Sequence, residues 1–202
     1  MEVFVADPEK VFTGADVLKA GNSATVVRGT IGQHTYVIKR YNVKNLWHGI
    51  RRALKPRSRF RLAWCNGHRL AFLRIPTARP VALVERRLGV LRGVAYLVMK
   101  DLGDHNLLTE VTENGPSETV VAEVTELFLA LQAAELTHGD MKATNFLLAE
   151  GGVRLIDLDC MRQGGAGLGR DIRRFLANWD NQAQVQEPFR RAFAAAGLLG
   201  AG

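Results

Sequence analysis

Residues 137–148 read T-H-G-D-M-K-A-T-N-F-L-L. The stretch sets a carboxylate, a lysine and a carboxamide, Asp140, Lys142 and Asn145, at offsets 0, +2 and +5. They lie between a helix-like segment and an apolar run. Polar groups at the edge of a core need a purpose, and phosphoryl transfer supplies one. That chemistry needs a carboxylate to orient the attacking hydroxyl and accept its proton, a cation beside the transferred group, and an oxygen ligand for magnesium. A polar loop with a capping aspartate is the plainer reading of the same letters.

Three further pieces stand in order around this one. V-R-L-I-D-L-D, 153–159, is an apolar strand that delivers Asp157 at its end, twelve residues after Asn145. One hairpin between them could return Asp157 to the same spot, where magnesium would take a few protein oxygens plus phosphate oxygens. Y-V-I-K, 36–39, is a strand ending in Lys39, an ammonium able to neutralise a polyphosphate or simply an exposed strand end. K-A-G-N-S-A-T-V, 19–26, is a turn between strands with Gly21 near its tip. Such a turn lets backbone N–H groups approach phosphates, or is an ordinary hairpin.

Working outward, Leu18 to Tyr41 reads as three short strands, with Gly21-Asn22 and Gly32-Gln33 as turn signals. Ser58 to Leu73 has helical character, with Leu62, Leu70 and Leu73 fitting an apolar face. Val81 to Val84 and Val94 to Met99 add two strands, followed by a linker at Lys100 to Gly103. Ser117 caps a long helix in which Val120, Val121, Val124, Leu127, Phe128 and Leu131 recur at helical spacing. Two short strands, Phe146 to Leu148 and Val153 to Ile156, precede amphipathic helices over Arg170 to Trp179 and Glu187 to Leu198. The class expected is α+β. A five-stranded antiparallel sheet with one helix precedes a mainly helical half, giving a single domain of two lobes, 1–100 and 101–202, around a cleft.

Bulk properties narrow the function classes. The 202 residues are 47% hydrophobic and 23% charged, ordinary for a folded soluble chain. No apolar run spans a bilayer, and the acidic start M-E-V-F-V-A-D-P-E-K is not a secretory signal. Cys65 and Cys160 fit no metal spacing and point to a reducing compartment, the cytoplasm. The net charge is +7, and its distribution is uneven: no acid stands between Asp16 and Glu85, while Val17 to Val84 carries fourteen Lys or Arg. Arg51, Arg52, Lys55, Arg57, Arg59 and Arg61 are the densest part. This is either a solvated basic face or a surface for an anionic partner, namely nucleotide phosphates, a membrane or a phosphorylated glycan. No binding motif or aromatic interleaving supports nucleic acid.

Taken together, the four pieces resemble the protein-kinase-like fold over residues 17 to 180. The wording H-G-D-M-K-A-T-N-F-L-L followed by L-I-D-L-D, with I-P-T-A-R-P-V-A-L-V-E before the fourth strand, resembles the lipopolysaccharide kinases. Those are bacterial cytoplasmic enzymes that phosphorylate Kdo or heptose sugars of the inner core. The resemblance implies ATP and Mg2+ as cofactors, with Asp140 as catalytic carboxylate and Lys142 on the γ-phosphate. It implies Asn145 and Asp157 on magnesium, with Asp159 either sharing the metal or capping the next turn. Lys39 would contact the α- and β-phosphates above the Gly21 turn. Val26 and Val37 would sandwich adenine. The backbone from Met99 through Asp101 to Leu102 would bond the adenine edge. Asp171, in G-R-D-I-R-R-F, would brace the loop from beneath or simply open a helix.

One departure stands out. A typical active kinase pairs its strand lysine with a helix glutamate, and the helix over Ser58 to Leu73 has none. Asn66 and His68 are its polar candidates to accept from Lys39, and Asp157 is a third. The resemblance therefore leaves three functions: a lipopolysaccharide sugar kinase whose partner is an anionic glycolipid near the inner membrane, a compact bacterial protein kinase of effector type, and a pseudokinase that binds without catalysis.

Overall fold

β-branched and aromatic residues are concentrated in A-T-V-V-R-G-T-I and H-T-Y-V-I-K-R-Y, and both are strands in the computed structural model, which describes residues 2–42, 58–88 and 91–199. The chain divides into two compact units, Met1–His68 with Ala78–Asp101 and Arg69–Thr77 with Leu102–Gly202.

The first unit is built on β1 (Asp16–Lys19), β2 (Ala24–Ile31), β3 (His34–Tyr41), β4 (Pro80–Leu88) and β5 (Leu91–Lys100). They form one antiparallel sheet in the order β1-β2-β3-β5-β4. Because successive side chains alternate faces, the register sorts every residue. One face sets Val27, Ile31, Ile38, Tyr96 and Val98 against Phe4, Val11 and Phe12 of two short helices, α1 (Glu2–Ala6) and α2 (Pro8–Thr13). The other sets Tyr41, Ala95 and Leu97 against Phe60 and Ala63 of α3 (Arg59–Phe72). The N-terminal helices were not anticipated, although D-P-E-K carries a start signal: Asp7 caps the Lys10 N–H and Pro8 opens the helix. Glu9 of α2 fastens them to the sheet by accepting from the Tyr96 hydroxyl and pairing with Arg40 at 3.2 Å.

Of the expected apolar face of α3, Leu70 is fully buried and Leu62 partly so, but Leu73 is 42% exposed, and Phe60 and Ala63 are the residues that face the sheet. The helix ends in a Schellman arrangement, with Arg74 N–H on the Ala71 carbonyl and Ile75 N–H on that of Leu70. Arg74 takes φ +58 there, so the chain reverses just after Leu73. Of the basic run, Arg51, Arg52, Lys55 and Arg57 lie outside the described residues. Arg61 pairs with Glu85 of β4 at 2.6 Å, so the acid lies on the strand and the base on the helix.

The second unit holds α4 (Leu107–Asn114), α5 (Glu118–Ala133), β6 (Leu136–Thr137), β7 (Phe146–Ala149), β8 (Gly152–Leu155), β9 (Arg162–Gln163), α6 (Leu168–Leu176) and α7 (Ala183–Ala195). Ser117 caps α5 by accepting from the Val120 N–H, and Asn106 caps the unanticipated α4 by accepting from Thr109. The last two helices both start earlier than their apolar spacing suggests, at Leu168 and Ala183. Pro188 lies inside α7, in its second turn, where it forgoes the intrahelical bond to the Gln184 carbonyl. Phe175 is the hub of the core, with ring centroids 5.2–5.7 Å from Phe128, Phe146, Trp179, Phe189 and Phe193. Met141 and Ala143 of the T-H-G-D-M-K-A-T-N stretch belong to the same core cluster.

Candidate active site

The stretch is a loop whose residues turn inward and outward in a fixed pattern. His138, Met141, Ala143 and Phe146 are 0–1% exposed and anchor it to the core. Asp140 and Lys142 fall between the anchors and emerge on the open side. The 3-10 turn Ala143–Asn145 then brings Asn145 back. Its side-chain N–H donates to the Asp140 carbonyl at 2.8 Å, and its backbone N–H donates to that of Lys142 at 2.9 Å. That geometry explains the 0, +2, +5 spacing.

The loop is held from three sides. Asp171, 1% exposed on α6, accepts from the backbone N–H of His138 at 2.6 Å and of Gly139 at 3.0 Å. Of the two readings of Asp171, the brace is the one observed. His138 donates through Nε2 to the Ile156 carbonyl at 2.9 Å, while its Nδ1 faces the Asp140 N–H at 3.4 Å. The Nε2–H tautomer serves both. Gly139 adopts φ +82, and a Cβ there would lie 2.9 Å from the Cys160 carbonyl oxygen, so the position excludes any side chain.

The end of β8 returns to the same place. The Ile156 N–H donates to the Asn145 carbonyl at 2.9 Å, which sets Asp157 beside Asn145. Asp157 takes the left-handed conformation, φ 62 and ψ 52. A non-glycine residue there stores strain on the order of 1–2 kcal/mol, and such strain collects at functional sites. Asp159 is 3% exposed in the 3-10 turn that follows. Among the described residues no cluster of three or more His, Cys, Asp or Glu is poised to hold a metal. The oxygen donors expected to hold magnesium are the Asn145 carboxamide on the loop and the Asp157 and Asp159 carboxylates after β8.

Both Asp140 carboxylate oxygens are occupied. Lys142 Nζ donates to Oδ2 at 3.0 Å. Arg174 of α6 holds Oδ1 with Nε at 3.0 Å and Nη2 at 2.9 Å. Partial burial pushes the Asp140 pKa up, but the hydrogen bonds and charges of Lys142 and Arg174 outweigh it and hold the carboxyl below its ordinary value. Sequence reading missed Arg174, which lies 34 residues downstream and carries no motif.

In the first unit the register puts Val26, Val37, Lys39, Met99 and Asp101 on one sheet face, the one that meets α3. Lys39 is 9% exposed, with Nζ 5.2 Å from the Tyr41 ring centroid. The Asp101 carboxylate pairs with Arg28 at 2.8 Å, and the Lys100 N–H donates to the Arg79 carbonyl. Gly21 sits so close to the Ala24 carbonyl that a Cβ would be 2.8 Å away, and Asn42 ties its carbonyl down at 3.1 Å. Asn66 is 3% exposed, whereas His68 is exposed with its ring 4.3 Å from that of Trp64. Burial thus separates the two helix candidates.

The profile of the lipopolysaccharide kinase (Kdo/WaaP) family matches residues 13–187 of this sequence. Among solved structures, one of WaaP in complex with acyl carrier protein is similar, at 17% identity and a TM-score of 0.58. The match covers 94% of this chain and 83% of that one. At that identity the likeness is one of fold. No curated protein matches.

Proposed function

Because this chain belongs to the lipopolysaccharide kinase (Kdo/WaaP) family, and is a kinase by that membership, we propose that it transfers the γ-phosphoryl group of ATP to a hydroxyl of an inner-core sugar, Kdo or heptose. The observation that carries this is the Asp140–Lys142 pair. Carboxylate and ammonium are 3.0 Å apart on the open side of a loop whose flanking residues are anchored in the core.

Asp140 accepts a hydrogen bond from the acceptor hydroxyl and aims its oxygen at the γ-phosphorus. A carboxylate held below its ordinary pKa is a poor base before bonding begins. It takes the proton late, as the new P–O bond makes the hydroxyl acidic, which suits a loose transition state. That P–O bond forms as the bond from the γ-phosphorus to the β,γ-bridging oxygen breaks, and ADP leaves with the bond's electron pair. Lys142 balances charge on the γ-phosphoryl oxygens. Lys39 neutralises the α- and β-phosphates, Val26 and Val37 hold adenine, the Gly21 turn offers backbone N–H groups, and the backbone from Met99 to Leu102 bonds the adenine edge.

The donor set fits magnesium. Asn145 uses its amide N–H on the Asp140 carbonyl and keeps Oδ1 as an oxygen donor, with Asp157 fixed beside it. One carboxylate, one carboxamide and phosphate oxygens are what that ion takes. When bound, magnesium would neutralise developing charge on the phosphates. Asp159 is the reserve ligand.

The acid-free basic stretch supports a position against the anionic cytoplasmic face of a membrane. No helix among the described residues is long and apolar enough to cross one. Reversing the charges of Arg51, Arg52 and Lys55 should weaken flotation with anionic vesicles, and unchanged flotation removes this part of the proposal.

The test is transfer from labelled ATP, with magnesium, to lipopolysaccharide lacking core phosphate, alongside a protein acceptor mix. Label on the glycan that is lost in Asp140→Ala supports the sugar kinase. Label on protein alone favours the effector-type kinase. Nucleotide binding without transfer favours the pseudokinase.

A further inference from the structure

Beside Asp140 an open cavity of about 860 Å³ is cut wholly into the second unit, between β6, β9 and α6. Its lining includes Lys142, Arg162, Arg170, Arg173 and Arg174, five cations against the carboxylates of Asp140 and Asp171. Asp171 is committed to two backbone N–H groups. Among the described residues, Arg162, Arg170 and Arg173 make no ion pair and no side-chain hydrogen bond. Positions 170, 173 and 174 share one face of α6, spaced i, i+3 and i+4, while Ile172, Phe175 and Leu176 bury the other. Three guanidiniums crowded on one face repel one another unless an anion sits among them. Planar guanidinium forks match carboxylate and phosphate oxygens.

Resting on the kinase reading above, we infer that this cavity is the acceptor subsite, that it recognises an oxyanion carried by the acceptor sugar next to the reacting hydroxyl, and that Arg174 exchanges Asp140 for that oxyanion when the acceptor enters. The exchange answers a problem in the site. Asp140 Oδ1 is covered by both Nε and Nη2 of Arg174, and Oδ2 by Lys142. An acceptor hydroxyl needs one of these oxygens. An incoming carboxylate or phosphate offers Arg174 a second partner between Arg170 and Arg173 and uncovers Oδ1. A neutral sugar offers no such partner, so Asp140 stays covered. Arg174 is therefore a positioning residue that makes productive binding depend on acceptor charge.

The experiment uses the full chain and two pairs of probes: Kdo against its methyl ester, and a hexose phosphate against the free hexose. Binding is measured by calorimetry without nucleotide. The anionic member of one pair should bind at least tenfold tighter than its neutral partner, and the pair that does so names carboxylate or phosphate as the source. In the Arg170→Gln/Arg173→Gln variant that preference should vanish, with the acceptor KM raised at least tenfold and the KM for ATP unchanged. Arg170→Lys/Arg173→Lys should restore part of it. The Arg174 exchange has its own signature: the Arg174 Nε NMR signal should move on adding the anionic probe and stay on adding the neutral one. Equal binding of charged and neutral probes, or a preference untouched by the glutamine variant, overturns the subsite even if transfer proceeds. Tight anionic binding with an unmoved Arg174 signal overturns the exchange. Absence of transfer to any sugar, with charge-dependent binding intact, faults the kinase reading and leaves the subsite standing.

Discussion

The buried carboxylate of Asp171 receives the backbone N–H of His138 at 2.6 Å, so a residue on α6 fixes the loop that carries Asp140. Replacing it by alanine strands the buried N–H of His138 and the part-buried N–H of Gly139. Charge-assisted hydrogen bonds contribute about 1.5–3 kcal/mol each and unsatisfied buried donors cost about 1–3. Asp171→Ala should lower the stability measured by urea unfolding by roughly 2–4 kcal/mol on that basis, and should cut phosphate transfer. Asp171→Asn, which keeps one acceptor, should lie between. A variant as stable as the parent would show that the brace is not needed.

Gly139 is closed to side chains by its φ of +82 and by the Cys160 carbonyl oxygen, which would stand 2.9 Å from any Cβ at this position. Gly139→Ala should destabilise by at least about 1–2 kcal/mol from the left-handed backbone alone. Because the strain falls one residue from Asp140, kcat should fall with little change in the KM for ATP. Steady-state kinetics on the soluble variant check this.

Asp157 shows the opposite balance. Its φ of 62 is one that glycine adopts without strain. Asp157→Gly should therefore leave the urea midpoint unchanged or raise it, while transfer drops at least about 100-fold if the carboxylate holds magnesium as proposed. A variant that loses stability and activity in parallel would mean that Asp157 is a structural residue.

The pH dependence follows from the pairs on Asp140. Burial raises its pKa, and Lys142 and Arg174 together lower it further, below the ordinary 3.8. The ionised carboxylate thus persists through neutral and mildly acid pH, and kcat/KM should hold flat until pH falls below that value. The sign for stability is the same: the pairs contribute above the unfolded aspartate pKa, and their contribution is lost as pH falls through the lower folded one. Arg174→Gln removes one of the two lowering cations, so its acid limb should shift upward. A wild-type limb already falling at pH 6 would assign the titrating group elsewhere.

Much of this was legible in the chain itself. The segments rich in β-branched and aromatic residues specify the strands, whose register follows from burying Val27, Ile38 and Val98 on one side, and that register groups Val26, Val37 and Lys39 on the other. Local chemistry marks the caps at Ser117 and Asp7, and local spacing puts Asp140 and Lys142 on the same side of an anchored loop. These features depend on residues near one another in sequence, so the order of letters determines them. What only the tertiary structure decided is which distant groups meet. Asp171 as brace rather than helix cap, Asn66 buried where His68 is exposed, Arg61 facing Glu85, and Arg174 on Asp140 all depend on how α6 and α3 rotate as their apolar faces pack. The burial of Phe175 fixes the roll of α6, and three residues of one turn, Asp171, Arg173 and Arg174, are thereby sent to three different tasks. No local pattern encodes that roll, because it is the outcome of packing against an aromatic core drawn from separate segments of the chain.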